Sequence, residues 1–239
     1  MRFITTKIAG MVIRIGVSFY YTENLFKDFL CEDENPQFTI FCTQEDYNRA
    51  GVQYEKTYHL EPPSDVYLEE YVLFEKIYDQ FTDYGIFTLH GAAIAVENQA
   101  YIFSAPSKTG KTTHVNKWIE TIENSFFING DKPFILTGSN PMVCGSPWAG
   151  KERQYTNSMV PLKAIIFMER SEENHIVQTT IKEAFPLLIQ QTFRPDSAER
   201  LRKTLIMLKS IEHKVSFYHF QCNNFKEDCF HVAYSSLVS

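Results

Sequence analysis

Cysteine is scarce and unpaired in this chain. Cys31, Cys42, Cys144, Cys222 and Cys229 are odd in number, scattered, and include no Cys-x-x-Cys pair. That spacing supports neither a disulfide framework nor a structural zinc site, and a reduced, cytoplasmic setting fits it best. His219 and Cys222 are close in sequence but lie in or beside an apolar strand, where packing is the simpler role. Long apolar runs are also missing: none approaches the roughly 20 residues of a membrane-spanning helix, so no membrane partner is expected. Near the start, Arg14 interrupts the hydrophobic residues that follow Arg2 and Lys7, and no small-residue cleavage site stands out, so no signal peptide is read. A basic excess is absent as well. The net charge of −6 and a pI near 5.7 argue against nucleic acid as a partner, because neutralising a phosphate backbone needs a basic surface. There is no internal repeat, low-complexity tract or long linker.

What is present is enough apolar material for a sizeable core. At 239 residues, with 44% hydrophobic and 15% aromatic content, the chain fits one large domain or two small ones. Ile13, Ile15, Val17 and Phe19 alternate with Arg14, Gly16 and Ser18, which predicts a half-buried strand. The strand signal repeats at 38–42 and 54–60, so residues 1–62 read as a β-rich N-terminal module. Pro62-Pro63 punctuates the chain, and 63–239 forms the remainder. Ser64 can cap a helix that closes near Gly85 and carries Tyr67, Tyr71, Phe74, Tyr78 and Phe81 as an aromatic stripe; core packing is the expected use, a ligand groove the rival one. Strands are expected at 87–89, 92–96, 100–103, 126–128, 133–136, 142–144, 163–168 and 215–222, with helices at 181–191, 197–211 and 225–237. The short turn at Asn98 makes a hairpin, hence a sheet that is at least partly antiparallel.

The densest chemical signal is Ala105-Pro106-Ser107-Lys108-Thr109-Gly110-Lys111-Thr112, a Walker A-like phosphate loop between an apolar strand and a helix with Val115, Trp118, Ile119 and Ile122 at helical spacing. Inward-turned backbone N–H groups at the positive end of a helix meet anionic oxygens. Ser107, Lys108, Thr109, Gly110, Lys111, Thr112 and Thr113 are the candidate nucleotide-binding residues. Lys111 would reach the β- and γ-phosphates, and the Thr112 hydroxyl would ligate Mg²⁺, with Thr113 as substitute. The usual first glycine is Ala105, which requires the backbone there to stay at negative φ. The bland alternative is a turn with Thr112 as helix cap.

About twenty residues on, Asn129-Gly130-Asp131-Lys132 places Asp131 at a strand end, where it could ligate Mg²⁺ or take a proton from an attacking hydroxyl; it could also be turn chemistry. His90-Gly91 allows close ligand approach or a core histidine. Residues 145–152, Gly-Ser-Pro-Trp-Ala-Gly-Lys-Glu, have the composition of an active-site loop, with Lys151 or Arg153 as phosphate contacts or as part of a solvated charge cluster. Arg194 is either a phosphate contact or a surface residue.

With Leu89-His90-Gly91, the loop at 104–114 and Asn129-Gly130-Asp131-Lys132-Pro133 in this order, the chain resembles the HPr serine kinase/phosphorylase group, whose fold is shared with phosphoenolpyruvate carboxykinases. Residues 145–151 are similar to a motif of shorter homologues, including those that phosphorylate lasso-peptide precursors. The likeness covers about residues 85–235. It implies an α/β fold with a mixed-sheet P-loop kinase core and a small β-rich N-terminal module. It further implies ATP or GTP with Mg²⁺, and a serine hydroxyl of a peptide or small protein as acceptor. Asp131, Lys111 and His90 become the catalytic set, with Thr112 and Asp131 as metal ligands and Lys151 a substrate contact. Gly130 stands where the bifunctional enzymes have a second aspartate, and their long downstream signature is not found. A nucleotide-binding module without transfer activity and a small-molecule kinase are the rival functions, and a homo-oligomer is left open.

Overall fold

In the computed structural model, two residues of left-handed backbone, Ala9 (φ 51°) and Gly10 (φ 80°), reverse the chain between strands β1 (Arg2–Ile8) and β2 (Met11–Val17). A two-residue turn with both central φ positive matches the twist of an antiparallel pair, and it sets the register from Arg2 opposite Val17 to Ile8 opposite Met11. β3 (Phe38–Phe41) then joins β2 in parallel, giving the order β1-β2-β3. Residues 1–33, 35–195, 197–223, 226 and 228–238 are described by the structure. The chain divides into two compact units, Met1–Tyr84 and Gly85–Ser239.

The first unit holds more helix than its sequence promised. Helix α1 (Tyr20–Leu25) follows β2, and α2 (Gln44–Tyr58) occupies the region read as a polar stretch and a strand at 54–60. The reason is local. Thr43 and Asp46 form a reciprocal capping box that starts a helix, and Ala50, Tyr54 and Tyr58 are four residues apart, so one face is shared although Tyr54, Lys56 and Tyr58 also alternate. His59, left-handed at φ 56°, ends it. Helix α3 (Asp65–Phe81) belongs to this unit rather than to the second, because its buried face reaches the sheet: Phe81 meets Phe38 edge to face at 6.2 Å. The unit boundary therefore falls after Tyr84, not at residue 62. Glu69 of α3 is fully buried; its Oε1 accepts from the Ser18 amide at 2.8 Å and the Tyr47 hydroxyl at 3.0 Å, tying the end of β2 to α2.

The second unit is built on a nine-stranded mixed sheet. β4 (Ile86–Thr88), β8 (Phe134–Leu136) and β9 (Met142–Cys144) are antiparallel and end on the first residues of the long β10 (Met159–Arg170). Further along, β10 runs parallel to β6 (Gln99–Ser104) on one side and to β12 (Ser216–Cys222) on the other. β5 (Ala92–Val96) pairs antiparallel with β6 through a turn whose Glu97 (φ 50°) and Asn98 (φ 61°) are both left-handed, and β7 (Phe126–Asn129), β11 (His175–Thr179) and β4 are the terminal strands. The molecule is thus mixed α/β with a small separate N-terminal sheet, and β1, α1 and β11 are elements that the sequence pattern did not mark.

Period-two alternation puts Ile94, Tyr101, Phe103, Ile166 and Phe220 on one face, covered by α4 (Lys111–Thr121) and α7 (Cys229–Leu237). Phe225, where the sequence-based helix 225–237 would begin, lies outside the described residues. α5 (Ile181–Gln191) and α6 (Ala198–Ser210) match the expected helices. Trp118 is the centre of the α4–α7 layer. It is fully buried, its ring lies 5.4 Å from Phe103 and 5.3 Å from Phe230, and its Nε1–H donates to His114 Nε2 at 3.0 Å. Truncating a core tryptophan costs about 3–5 kcal/mol. Trp118→Ala should lose that much in urea unfolding, and an unchanged midpoint would mean that the layer is not held at this residue.

Candidate functional site

The loop at 105–110 lies at the C-terminal end of β6 and runs directly into α4, and this is the end of a sheet where ligands of α/β proteins gather. Ala105 is not among the residues with positive φ, so the absence of the usual first glycine imposes no left-handed strain. Lys108 (φ 68°) and Gly110 (φ 108°) are left-handed, whereas Ser107 and Thr109 are not. Alternation in the sign of φ is the backbone pattern of anion-binding nests in general; here the Thr109 amide donates to the Pro106 carbonyl at 3.4 Å. Gly110, not Thr112, is the N-cap of α4. Ser107, Lys108 and Thr113 are exposed, and Thr109, Gly110 and Thr112 are half-buried.

Lys111, by contrast, is buried, and its ammonium points back into the loop. Nζ donates to the Ala105 carbonyl at 2.8 Å, to the Pro106 carbonyl at 3.3 Å and to His90 Nε2 at 3.1 Å. With Nε2 accepting, the neutral ring carries its proton on Nδ1, which lies 3.0 Å from Asp131 Oδ1. Lys111, His90 and Asp131 therefore form one hydrogen-bonded chain, and Lys132 Nζ stands 3.7 Å from the other Asp131 oxygen. Burial lowers the pKa of Lys111, opposed by the charge of Asp131. Burial would raise the Asp131 carboxyl, but the His90 hydrogen bond and the nearby cations Lys132 and Lys111 outweigh it and hold the group below its ordinary value. Asp131 is thus an ionised acceptor at neutral pH.

Backbone pairing delivers these side chains. His90 donates its amide to the Gln191 carbonyl at 2.7 Å, Gly91 donates to the Asp131 carbonyl at 2.9 Å, and Ser104 Oγ donates to the His90 carbonyl at 2.8 Å. Gly91 is required there: a Cβ would come within 2.9 Å of the Phe103 carbonyl oxygen. Asn129, wholly buried, accepts from the amides of Asp131 (2.8 Å) and Lys132 (2.7 Å), while its Nδ2 donates to the carbonyl and the hydroxyl of Ser146. Asn-Gly-Asp is a turn, as its composition says, and the turn aims the carboxylate at His90.

Other sequence candidates separate. Trp148 is buried against Phe134, with ring centroids 6.2 Å apart, so it is a core residue. Gly150 (φ 74°) sits against Asp131, where a Cβ would stand 3.2 Å from the Asp131 Cβ, but Lys151 and Arg153 are exposed and are not members of the Lys111–His90–Asp131 chain. Arg194 is exposed two residues beyond Thr192, which bridges to Leu89. One residue was missed. Arg170, at the end of β10, donates Nε to the Thr109 carbonyl at 3.3 Å and a second guanidinium nitrogen to the Lys108 carbonyl, pinning the loop tip. Nothing in its sequence neighbourhood marks it; the parallel pairing of β10 with β6 brings it there.

Beside the loop, Thr109, Gly110, Thr113, Arg170, Cys222 and Asn223 line a cavity of about 400 Å³, within the range of small-ligand sites. A wider one of about 660 Å³, lined by Gln99, Lys163 and Lys214 among others, lies at the opposite ends of the same strands and away from this chemistry. Among the described residues no group of three or more His, Cys, Asp and Glu side chains is placed to hold a metal ion, and no helix is long and apolar enough to cross a membrane. No family model matches the chain, and a search of curated proteins finds no match.

The lowered pKa of Asp131 has a definite sign in stability. A depressed carboxyl contributes stability in full above its unfolded value of about 3.9 and loses it as pH falls through the folded value. The difference in unfolding free energy between the wild type and Asp131→Asn should be constant from about pH 6 to 8 and shrink below about pH 4. Urea titrations at stepped pH measure it, and a difference unchanged down to pH 3 would contradict the electrostatic account.

Proposed function

We propose that the second unit is a phosphate-loop kinase core of the HPr kinase/phosphoenolpyruvate carboxykinase type. It would transfer phosphate from ATP or GTP to a hydroxyl, that of a serine in a peptide or small protein. The observation that carries this reading is the hydrogen-bonded chain Lys111–His90–Asp131 at the mouth of a strand–loop–helix turn. It puts a cation, a tautomer-fixed imidazole and an ionised carboxylate within one site, which is the set needed to neutralise and orient a transferring phosphoryl group.

In this reading the loop amides and the start of α4 hold the β- and γ-phosphates, and Lys111 moves its donors from the Ala105 and Pro106 carbonyls to phosphate oxygens. His90 keeps the Asp131 carboxylate in place by donating Nδ1–H to it. Asp131 accepts a hydrogen bond from the acceptor hydroxyl and takes its proton as the oxygen attacks. Because its pKa is depressed it is a weak base, and its larger contribution is orientation, as expected for a transition state in which little proton transfer has occurred. The residues suit Mg²⁺: it prefers hard oxygen ligands, needs only one or two from the protein when the nucleotide supplies the rest, and would find them in the ionised Asp131 and the half-buried Thr112 hydroxyl. Bound there, it would supply charge neutralisation of the phosphates.

Two substitutions separate the roles. Lys111→Ala should weaken nucleotide binding, measured by calorimetry, or abolish turnover, in a chain that remains folded. Asp131→Asn, nearly isosteric, should retain nucleotide affinity and lower transfer by about 100-fold or more, followed as the phosphate mass increment on a serine of candidate precursor peptides. Near wild-type transfer in Asp131→Asn would remove the carboxylate from the reaction, and loss of Mg²⁺-nucleotide affinity along with rate would make it chiefly a metal ligand. Labelling of a free metabolite alone would favour a small-molecule kinase, and nucleotide binding with no labelling of any acceptor a module without transfer activity.

A further inference from the structure

The aromatic stripe of α3 divides between two uses. Phe74, Tyr78 and Phe81 are buried in the core of the first unit, but Tyr67 is 56% exposed and Tyr71 only half-buried. One turn apart on α3, Tyr67 and Tyr71 face Tyr54 and Tyr58, one turn apart on α2, across a slot of about 190 Å³ floored by Ala50 and Leu68. Tyr58 is 60% exposed and packs on Tyr54 at 4.7 Å between ring centroids, and Gln53 and Thr57 complete the lining with the four phenol rings.

Its size and surroundings select an occupant. The slot is smaller than the ~300–1,000 Å³ of pockets for drug-sized ligands, and it holds one side chain. Aromatic faces attract a cation through their quadrupole, and an adjacent carboxylate adds to that field. Glu70 lies three residues beyond Tyr67 on α3, on the same side of the helix, and burial together with its charge raises the pKa of the Tyr67 hydroxyl. Arg49, next to Ala50 on α2, is paired with Glu75 at 3.0 Å. The same polarity holds for the whole unit: residues 1–84 contain seven Lys and Arg against fifteen Asp and Glu, a net −8, whereas residues 85–239 carry 16 against 14, a net +2. An alternative docking element, the outer edge of β1, is partly taken, since the Cys31 amide donates to the Thr5 carbonyl at 3.0 Å and Thr6 bridges to Leu30.

We infer that the tyrosine slot between α2 and α3 is a recognition site for a basic peptide segment and receives one lysine or arginine side chain from it. The inference stands apart from the nucleotide reading, because every residue it uses lies in the first unit.

The full-length protein is titrated at low salt with blocked pentapeptides, Gly-Gly-Lys-Gly-Gly, its arginine counterpart and its neutral norleucine counterpart, with the tyrosine side-chain NMR signals as readout. The lysine and arginine peptides should shift those signals saturably, and the norleucine peptide should bind about tenfold more weakly or not at all. Tyr58→Ala and Tyr67→Ala, at exposed positions that leave the fold intact, should each weaken binding by about tenfold, while Tyr58→Phe keeps its ring and stays within about threefold of wild type. Glu70→Gln should weaken binding and flatten its salt dependence. Lys111→Ala should bind the peptides as wild type does, so a failed kinase assay and a failed slot assay are separate results. Equal binding of the norleucine peptide would make the slot a merely apolar groove. Absence of saturable shifts, or alanine variants indistinguishable from wild type, would overturn the proposal.

Discussion

The side chain of Asn129 is the constraint on which the candidate site depends. A primary amide buried without exposure has to find partners for both ends, and here it finds four: two backbone amides for its oxygen, the carbonyl and the hydroxyl of Ser146 for its nitrogen. Ser146 Oγ in turn donates to the Lys132 carbonyl at 2.7 Å, closing a ring of bonds between the end of β7 and the segment after β9. Each orphaned buried donor would cost about 1–3 kcal/mol, more than the net worth of a typical hydrogen bond, so the turn at 129–132 has one low-energy conformation. That conformation aims Asp131 at His90. The glycines on either side answer the same demand for room, since a Cβ on Gly130 would meet the Ala149 carbonyl oxygen at 3.1 Å and one on Gly145 would overlap the Thr156 carbonyl.

Placed this way, Asp131 governs the electrostatics of its neighbours. The ammonium of Lys111 is removed from water, which disfavours its charge, and the carboxylate two hydrogen bonds away restores part of what burial takes. The carboxylate would itself be disfavoured by burial, and the balance is reversed by His90 first and then by the two lysines. The imidazole between them donates from one nitrogen, accepts at the other and links the two groups while holding them apart.

Much of this arrangement was legible in the sequence because it is encoded locally. The hairpin at Glu97-Asn98, the strand before the loop, α4 and the Asn-Gly-Asp turn each depend on residues within a few positions of one another, and short-range rules about φ and periodicity describe them. His90 was ambiguous for the opposite reason: its meaning arises from partners 21 and 41 positions away. Arg170 carried no signal at all, since the alignment of its guanidinium with the Lys108 and Thr109 carbonyls is a product of strand pairing across some sixty residues. In the first unit, 54–60 misled because tyrosines four apart satisfy a strand's alternation and a helix's turn equally; the capping box at Thr43 decides for the helix. The aromatic stripe of α3 was read as one feature, but burial separates it into a core half and a solvent-facing half.

Charge divides along the same line as the contacts. An overall net charge of −6 conceals an acidic first unit and a second unit that is slightly basic. Within the second, cations collect at the C-terminal ends of the central strands: Lys108 and Lys111 on the loop, Lys132 after β7 and Arg170 at the end of β10, with Asp131 held among them by His90. Such a cluster of positive charge around a buried ammonium costs free energy in the protein by itself, and the charge of Asp131 offsets part of it. The two compact units thus carry net charges of opposite sign. The overall net charge of −6 describes neither unit.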